Sequence, residues 1–289
     1  MKTTTALKTL LLKQELSFLM ESHNALSARI AEESGFEGLW ASGLSIAASM
    51  GLTDRNEASW TQILEVVDFM TDCTTVPVLL DGDTGFGNFN NVRRLVKKLS
   101  QRHVAGVCLE DKLFPKTNSF IGAGQPLADV QEFCGKIKAA KDSQLDDDFC
   151  VVARVEALVS GLPMEDALMR ARAYADAGAD AILIHSKQSD GEEVLSFCHQ
   201  WERDIPIVIV PTKYYQIPTD RFEQLGVSTV IWANHSVRAA ISAIRSITRS
   251  IRQNNSVAQI EQDIATLDDI FNLTSEYEHQ KAEQKYLPA

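Results

Sequence analysis

The residues best suited to chemistry stand at the ends of short apolar runs. Asp81-Gly82-Asp83-Thr84-Gly85 follows one such run and Glu110-Asp111-Lys112 follows another. Brought to one place, Asp81, Asp83 and Glu110 would repel each other, which raises carboxyl pKa values or demands a cation. Hard oxygen donors with no His or Cys beside them favour Mg2+ over zinc. Mg2+ keeps several of its waters, so some of these acids would hold it through water. The plainer reading makes them strand-end caps or surface charges. The joint pattern on two neighbouring runs favours a shared site.

A positive counterpart is also visible. Arg154 follows Val151-Val152-Ala153 and should point into a buried interior or its mouth. A buried Arg needs an anion. It either pairs with Glu156 or another acid of the interior, or forms a planar fork for a phosphate or carboxylate. His185 ends a further apolar run. It is either merely hydrogen-bonded or, beside Arg154, a partner for a phosphoryl or oxyanion group. Trp40-Ala41-Ser42-Gly43-Leu44 ends another run, and Gly85 and Gly87 suit a tight turn with its backbone close to a ligand. The stretch 111–127 is long for a strand-to-helix loop and carries Lys116, Asn118, Ser119, Gly122 and Gly124. Loops of this length in compact domains are often lids; a plain surface excursion is the alternative.

These side chains need a frame that gathers strand ends. Eight strands are expected, at 18–22, 38–42, 77–81, 105–110, 150–156, 181–185, 206–211 and 228–232. Several are near-continuous apolar runs, as in a parallel sheet buried on both faces. Helical spacing separates them: Ile63, Val66, Val67 and Met70; Val92, Leu95, Val96 and Leu99; Ala167, Leu168, Ala171 and Tyr174, with Gly178 as a C-cap. Eight strands with intervening helices predict an α/β fold, a parallel (β/α)8 barrel of the TIM type, rather than an open doubly wound sheet. In such barrels, polar residues at the C-terminal strand ends form the active site. One barrel domain is expected over 1–289, with 237–275 as a C-terminal helical extension and 276–289 as a flexible polar tail.

Composition narrows the function. The chain has 289 residues and a net charge of −11. It lacks the basic faces that nucleic-acid binding relies on, and an anionic substrate would need a local positive site. Five cysteines, an odd number without a CxxC, argue against a disulfide framework or zinc site and fit a reducing cytoplasm. The apolar Leu10-Leu11-Leu12 stretch is too short and interrupted for a signal-peptide core. No run approaches a membrane span.

The segment Asp81-Gly82-Asp83-Thr84-Gly85-Phe86-Gly87-Asn88 resembles the metal-binding signature of the isocitrate lyase/phosphoenolpyruvate mutase superfamily. Glu110-Asp111-Lys112 followed by Asn118-Ser119 is similar to a motif of its mutase branch. The resemblance runs from about Leu19 through the C-terminal helices. It implies interconversion of phosphoenolpyruvate and phosphonopyruvate, in a tetramer of dimers that swap the C-terminal helix. It implies Asp81 as a direct Mg2+ ligand, with Asp54, Asp83 and Glu110 holding the metal mainly through water. Trp40, Ser42, Gly43 and Leu44 would bind the pyruvyl part, Arg154 and His185 would clamp the phosphoryl group, and Lys116, Asn118 and Ser119 would form the gating loop.

Asp54 corresponds to a residue sometimes assigned as nucleophile. Ordering metal-bound water is the role favoured here, because anionic attack on an anionic phosphoryl group must overcome repulsion. The family pattern commonly has Ala where this chain has Gly82, and glycine should loosen that strand end by up to about 1 kcal/mol. Three rivals remain. A phosphonopyruvate hydrolase shares the fold and much of the site. A carbon–carbon lyase would carry a Lys-Lys-Cys-Gly-His signature on its lid, but no Cys occurs between Asp111 and Leu127. A non-catalytic metabolite binder would be expected to have lost ligands that are present here. Phosphonate synthesis is expected to be uphill, so a phosphonopyruvate decarboxylase is the expected pathway partner.

Overall fold

Strands pair side by side in chain order and close into a barrel. The computed structural model describes residues 1–119, 121 and 125–287; Gly122 and Gly124 of the expected lid lie outside them. The strands are β1 (Ser17–Ser22), β2 (Gly38–Ala41), β3 (Val78–Asp81), β4 (Gly106–Glu110), β5 (Cys150–Val155), β6 (Ala181–Ile184), β7 (Ile207–Ile209) and β8 (Val227–Trp232). All neighbouring pairs are parallel, including β8 with β1. The expected eight strands and closed parallel barrel are therefore observed, and their pairing in chain order excludes the open doubly wound sheet. β7 is shorter than its apolar run because Pro206 and Pro211 flank it, and proline cannot donate to a ladder.

The helices are α1 (Thr3–Leu12), α2 (Ala25–Glu33), α3 (Gly43–Ser49), α4 (Trp60–Cys73), α5 (Phe89–Ser100) and α6 (Val130–Lys141). They continue as α7 (Met164–Asp176), α8 (Glu192–Gln200), α9 (Thr219–Gln224), α10 (His235–Asn254), α11 (Leu267–Leu273) and α12 (Glu276–Tyr286). The spaced apolar residues become buried stripes: Ile63, Val67 and Met70 on α4, where Leu64 is buried and the expected Val66 only half-buried, and Val92, Leu95, Val96 and Leu99 on α5. Ser59 caps α4 by accepting from the Gln62 backbone N–H. Gly178 follows α7 at φ +103°, the left-handed conformation that ends helices.

Alternation along each strand makes two apolar layers. Leu39, Leu80, Val107, Val151 and Ile182 pack outward under the helices. Leu19, Trp40, Leu79, Cys108, Val152, Leu183 and Val208 fill the barrel interior. Leu7, Leu10 and Leu11 of α1 join that inner layer. The leucine-rich N-terminal stretch thus plugs the barrel at the N-terminal ends of the strands, leaving the other end to chemistry. The five cysteines are unpaired, and burial pushes the Cys150 thiol up to about 12.

The chain divides into two compact units, Met1–His235 and Ser236–Ala289. In the second, Thr266 and Asp269 form a reciprocal cap that starts α11. Residues from Glu276, expected as a flexible tail, are helical to Tyr286 with no buried side chain. Among the described residues no helix is long and apolar enough to cross a membrane.

Candidate active site

Parallel strands bring their C-terminal residues to one rim. Asp81 ends β3, Glu110 ends β4, Arg154 lies one residue from the end of β5, and His185 follows β6. Ser42 follows β2 and caps α3, its hydroxyl accepting from the Ser45 N–H at 3.3 Å. A chamber at this rim is lined by Trp40, Ser42, Leu44, Asp54, Asp81, Glu110, Lys116, Asn118, Ser119, Arg154 and His185, with Lys112, Thr212 and Asn234 among the others. Gly43 and Asp83 line an adjoining recess together with Asn56 and Asp81. The thirteen residues to which the family resemblance assigns a role therefore all line one of these two spaces.

The acidic side is built by a strained loop after β3. Asp83, at φ +50°, and Phe86, at φ +56°, adopt left-handed conformations, with Gly85 at +86° between them. Asp83 donates its backbone N–H to Asp81 Oδ1 at 3.3 Å, while its carbonyl accepts from Glu110 N–H at 2.8 Å. These bonds lock the two acidic strand ends together. Gly43 lets the chain pass close to the acids: a Cβ there would stand 3.2 Å from Asp83 Oδ1 and 3.3 Å from Asp81 Oδ2, so the carboxylates would have to give way by a few tenths of an ångström.

Lys116 reaches into this cluster from the long loop. Its ammonium is 2.7 Å from Asp54 Oδ1 and also pairs with Asp83. Burial pushes the Asp83 carboxyl up to about 8; Lys116 opposes this, and Asp81, Glu110 and Asp54 add to it. Burial likewise raises Glu110, against the pull of Arg154, Lys116 and Lys112. Lys116 stays protonated despite its own burial because so many carboxylates surround it. Around Asp54, Asp81 and Asp83 the single ammonium of Lys116 is outnumbered by carboxylates. Glu110 Oε1 is buried with no hydrogen-bond partner among the described residues. These oxygen donors fit a divalent cation. Among the described residues, however, no three His, Cys, Asp or Glu are gathered at ligand spacing around one point. Water would have to complete any such ligand set.

Asp54 differs from its neighbours. Burial would raise its pKa, but Lys116 and the Asn118 amide, 2.6 Å from Oδ2, outweigh it and hold the carboxyl below its usual range. Both of its oxygens are engaged by the long loop.

The opposite wall is cationic and turns on Glu156. This fully buried carboxylate accepts from Arg154 Nε at 2.5 Å and Ser119 Oγ at 2.8 Å, and pairs with Lys112 Nζ at 3.0 Å. Despite burial, those cations hold Glu156 well below the ordinary carboxylate range. Of the two readings of Arg154, the pair with Glu156 is observed, and the guanidinium also lines the chamber. Arg154 Nη2 donates to Ser119 Oγ at 2.9 Å and lies 3.0 Å from His185 Nδ1. Burial and the Arg154 charge push the His185 pKa down, so the imidazole is neutral at neutral pH.

The long loop is anchored at both bases. Lys112 and Leu127 form an antiparallel bridge, and Asp111 accepts from Ala128 N–H at 2.8 Å. Asp111 also accepts from Tyr174 Oη at 2.6 Å and from the Glu156 backbone N–H at 2.8 Å. Near the middle, Lys116 N–H donates to Asn56 Oδ1 at 2.7 Å, and Asn56 Nδ2 donates to Asp83 Oδ2 at 2.7 Å.

Sequence reading did not single out Asn56, and it treated Glu156 only as one possible partner of Arg154. Glu156 stands two positions after Arg154, just past the end of β5, and that extended-chain spacing, which puts both on one face, was the available signal. Asn56 carries no comparable signal, because its partners are 27 and 60 residues away.

A sequence-family model described as phosphoenolpyruvate phosphomutase matches residues 7–252. A phosphoenolpyruvate phosphomutase of Tetrahymena pyriformis is 55% identical over 285 residues, covering 98% of this chain and 95% of that protein. The crystal structure of a phosphoenolpyruvate phosphomutase from Streptomyces platensis subsp. rosaceus superposes with a TM-score of 0.97 at 42% identity, over 99% of each chain. A phosphonopyruvate hydrolase of a Variovorax species is more distant, 38% identical over 284 residues and 98% of each chain.

Proposed function

The chain belongs to the phosphoenolpyruvate phosphomutase family of the isocitrate lyase/phosphoenolpyruvate mutase superfamily, and from that membership we infer how its residues divide the work. It is an isomerase that interconverts phosphoenolpyruvate and phosphonopyruvate. In the forward direction the enol O–P bond breaks and a C–P bond forms at C3 of the same molecule, with no net uptake of water. The observation that carries the assignment of roles is the opposition of two walls, clustered carboxylates facing Arg154 and His185 across one chamber.

Asp81, Asp83, Glu110 and Asp54 would hold Mg2+, some of them through water. When bound, Mg2+ supplies the positive charge that stabilises the pyruvate enolate. Trp40, Ser42, Gly43 and Leu44 bind the pyruvyl part. Phosphoryl transfer is loose, so positioning and charge stabilisation do most of the catalysis. Arg154 holds the phosphoryl oxygens, and neutral His185 offers a ring N–H to them. Asn118 and Ser119 bring the loop over the same group and exclude water. Asp54 orients Lys116 and Asn118 rather than attacking phosphorus, a role supported by the engagement of both its oxygens. A trapped aspartyl-phosphate would overturn that role.

The enzyme is proposed to work in a reducing cytoplasm as a helix-swapped tetramer, with a phosphonopyruvate decarboxylase draining the uphill product. Phosphorus NMR of the purified chain with phosphonopyruvate tests the chemistry. With Mg2+ the phosphonate signal should convert to that of phosphoenolpyruvate, and EDTA should stop it. Inorganic phosphate as the main product would replace this reading with the hydrolase, and turnover unaffected by EDTA would remove the metal.

A further inference from the structure

Several contacts hold the long loop over the chamber near its middle, and they are not equivalent. Lys116 Nζ and Asn118 Nδ2 both bond to Asp54. Lys116, Asn118 and Asp54 all line the chamber, so an arriving anionic substrate competes with Asp54 for the Lys116 ammonium and the Asn118 amide. Another contact is the Asn56 amide, which lies in the recess behind the chamber. It bonds to the Lys116 backbone N–H on one side and to the Asp83 carboxylate on the other. Substrate need not displace either bond.

The chemistry of the two partners fixes the amide's orientation. A backbone N–H can only donate, so Asn56 Oδ1 faces Lys116. A carboxylate accepts, so Asn56 Nδ2 faces Asp83. Asp would lack the donor, Ser lacks the second polar end, and Gln is one carbon longer. The backbone of Asn56 sits at φ +58°, a left-handed conformation that Asn tolerates better than most residues. This position thus combines a special conformation with a two-ended side chain.

We propose that Asn56 is a positioning residue that latches segment 116–119 to the carboxylate loop after β3, keeping water from the phosphoryl group during transfer. Closure decides the product. With water excluded, phosphorus passes from oxygen to carbon. With water admitted, the C–P bond of phosphonopyruvate breaks as a water oxygen bonds to phosphorus, a proton of that water ends on the enolate carbon, and the products are pyruvate and inorganic phosphate. The proposal rests on the mutase reading for its product ratio, but not for the loop contact itself.

The test uses the full chain and two variants, Asn56→Gly and Asn56→Asp. Gly accepts the left-handed backbone and removes both bonds. Asp keeps an acceptor for Lys116 N–H but sets a second carboxylate against Asp83. Two readouts are taken on protein shown to be folded by circular dichroism. Hydrogen exchange of the peptide covering 113–119 should quicken in both variants and stay unchanged elsewhere in the barrel. Phosphorus NMR with Mg2+ and phosphonopyruvate should show inorganic phosphate growing beside phosphoenolpyruvate, with kcat/KM reduced about 10- to 100-fold, the usual range for losing a hydrogen bond to a charged group.

Unchanged exchange at 113–119 in a folded variant overturns the latch. Quickened exchange with phosphate-free product overturns its role in excluding water. If the parent enzyme gives no phosphoenolpyruvate, the mutase reading fails while exchange still decides the latch. Should Asn56→Gly not fold, Asn56→Asp carries both readouts.

Discussion

Glu156 does not line the chamber, yet the cationic wall depends on it. Its carboxylate gathers Arg154, Lys112 and Ser119, and lies 3.1 Å from His185 Nδ1. Removing its charge leaves a buried guanidinium and a buried ammonium facing each other, and breaking a buried pair in this way costs roughly 3–5 kcal/mol. Glu156→Gln should therefore lower unfolding stability by that order in urea titrations, along with kcat/KM, although Gln keeps nearly the same shape. A loss under about 1 kcal/mol would mean that the neighbouring carboxylate of Glu110, 3.5 Å from Arg154 Nε, suffices.

Where β3 meets β4, the element is denser than a glycine suggests. Gly82 donates its N–H to the Cys108 carbonyl at 2.8 Å. A methyl at position 82 would stand 2.5 Å from Val107 Cγ2, 3.0 Å from the Cys108 carbonyl and 3.1 Å from Leu109 Cδ2. The expected looseness is thus met by neighbours that already fill the alanine's space. Overpacking of this kind typically costs about 1–3 kcal/mol. Gly82→Ala, the residue common in the family, should destabilise this chain by that amount in thermal melts. Trimming the neighbour in Gly82→Ala/Val107→Ala should cost less than the sum of the two single changes, because the sites touch. Simple additivity would mean that Val107 is not what occupies the space.

At the scale of the whole molecule, charge and exposed apolar surface pull in different directions. A net charge of −11 favours solubility and repels anionic substrates. The cationic wall is therefore a local reversal, built inside the barrel mouth where the low dielectric strengthens it. In the second unit, Ile244, Leu267 and Ile270 are 61%, 68% and 48% exposed. Apolar side chains left open together favour burial against another surface. Sedimentation should give a mass about four times the 32.0 kDa of one chain, and Ile244→Glu with Leu267→Glu should shift it downward. A parent chain that sediments as a monomer at micromolar concentration would sink the tetramer.

The eight strands, the parallel barrel class and the acidic and basic strand ends were legible in the sequence, because strand burial and helical periodicity are local patterns; the order in which the strands pair was decided by the tertiary structure. The motifs at 81–88 and 110–119 were legible for the same reason: each places its reactive residues within one turn or loop. The role of α1 was not. Leu10-Leu11-Leu12 reads as a short apolar stretch until a closed barrel offers an end for it to plug. Nor could sequence show that Lys116 would sit among the acids, that Glu156 would hold Arg154, Lys112 and Ser119 at once, or that Asn56 would bridge the loop to Asp83. Those contacts join residues far apart in the chain. Their distances exist only once barrel closure has fixed every strand end on one rim, and the balance of burial against charge at Asp83, Glu110 and His185 follows from that enclosure.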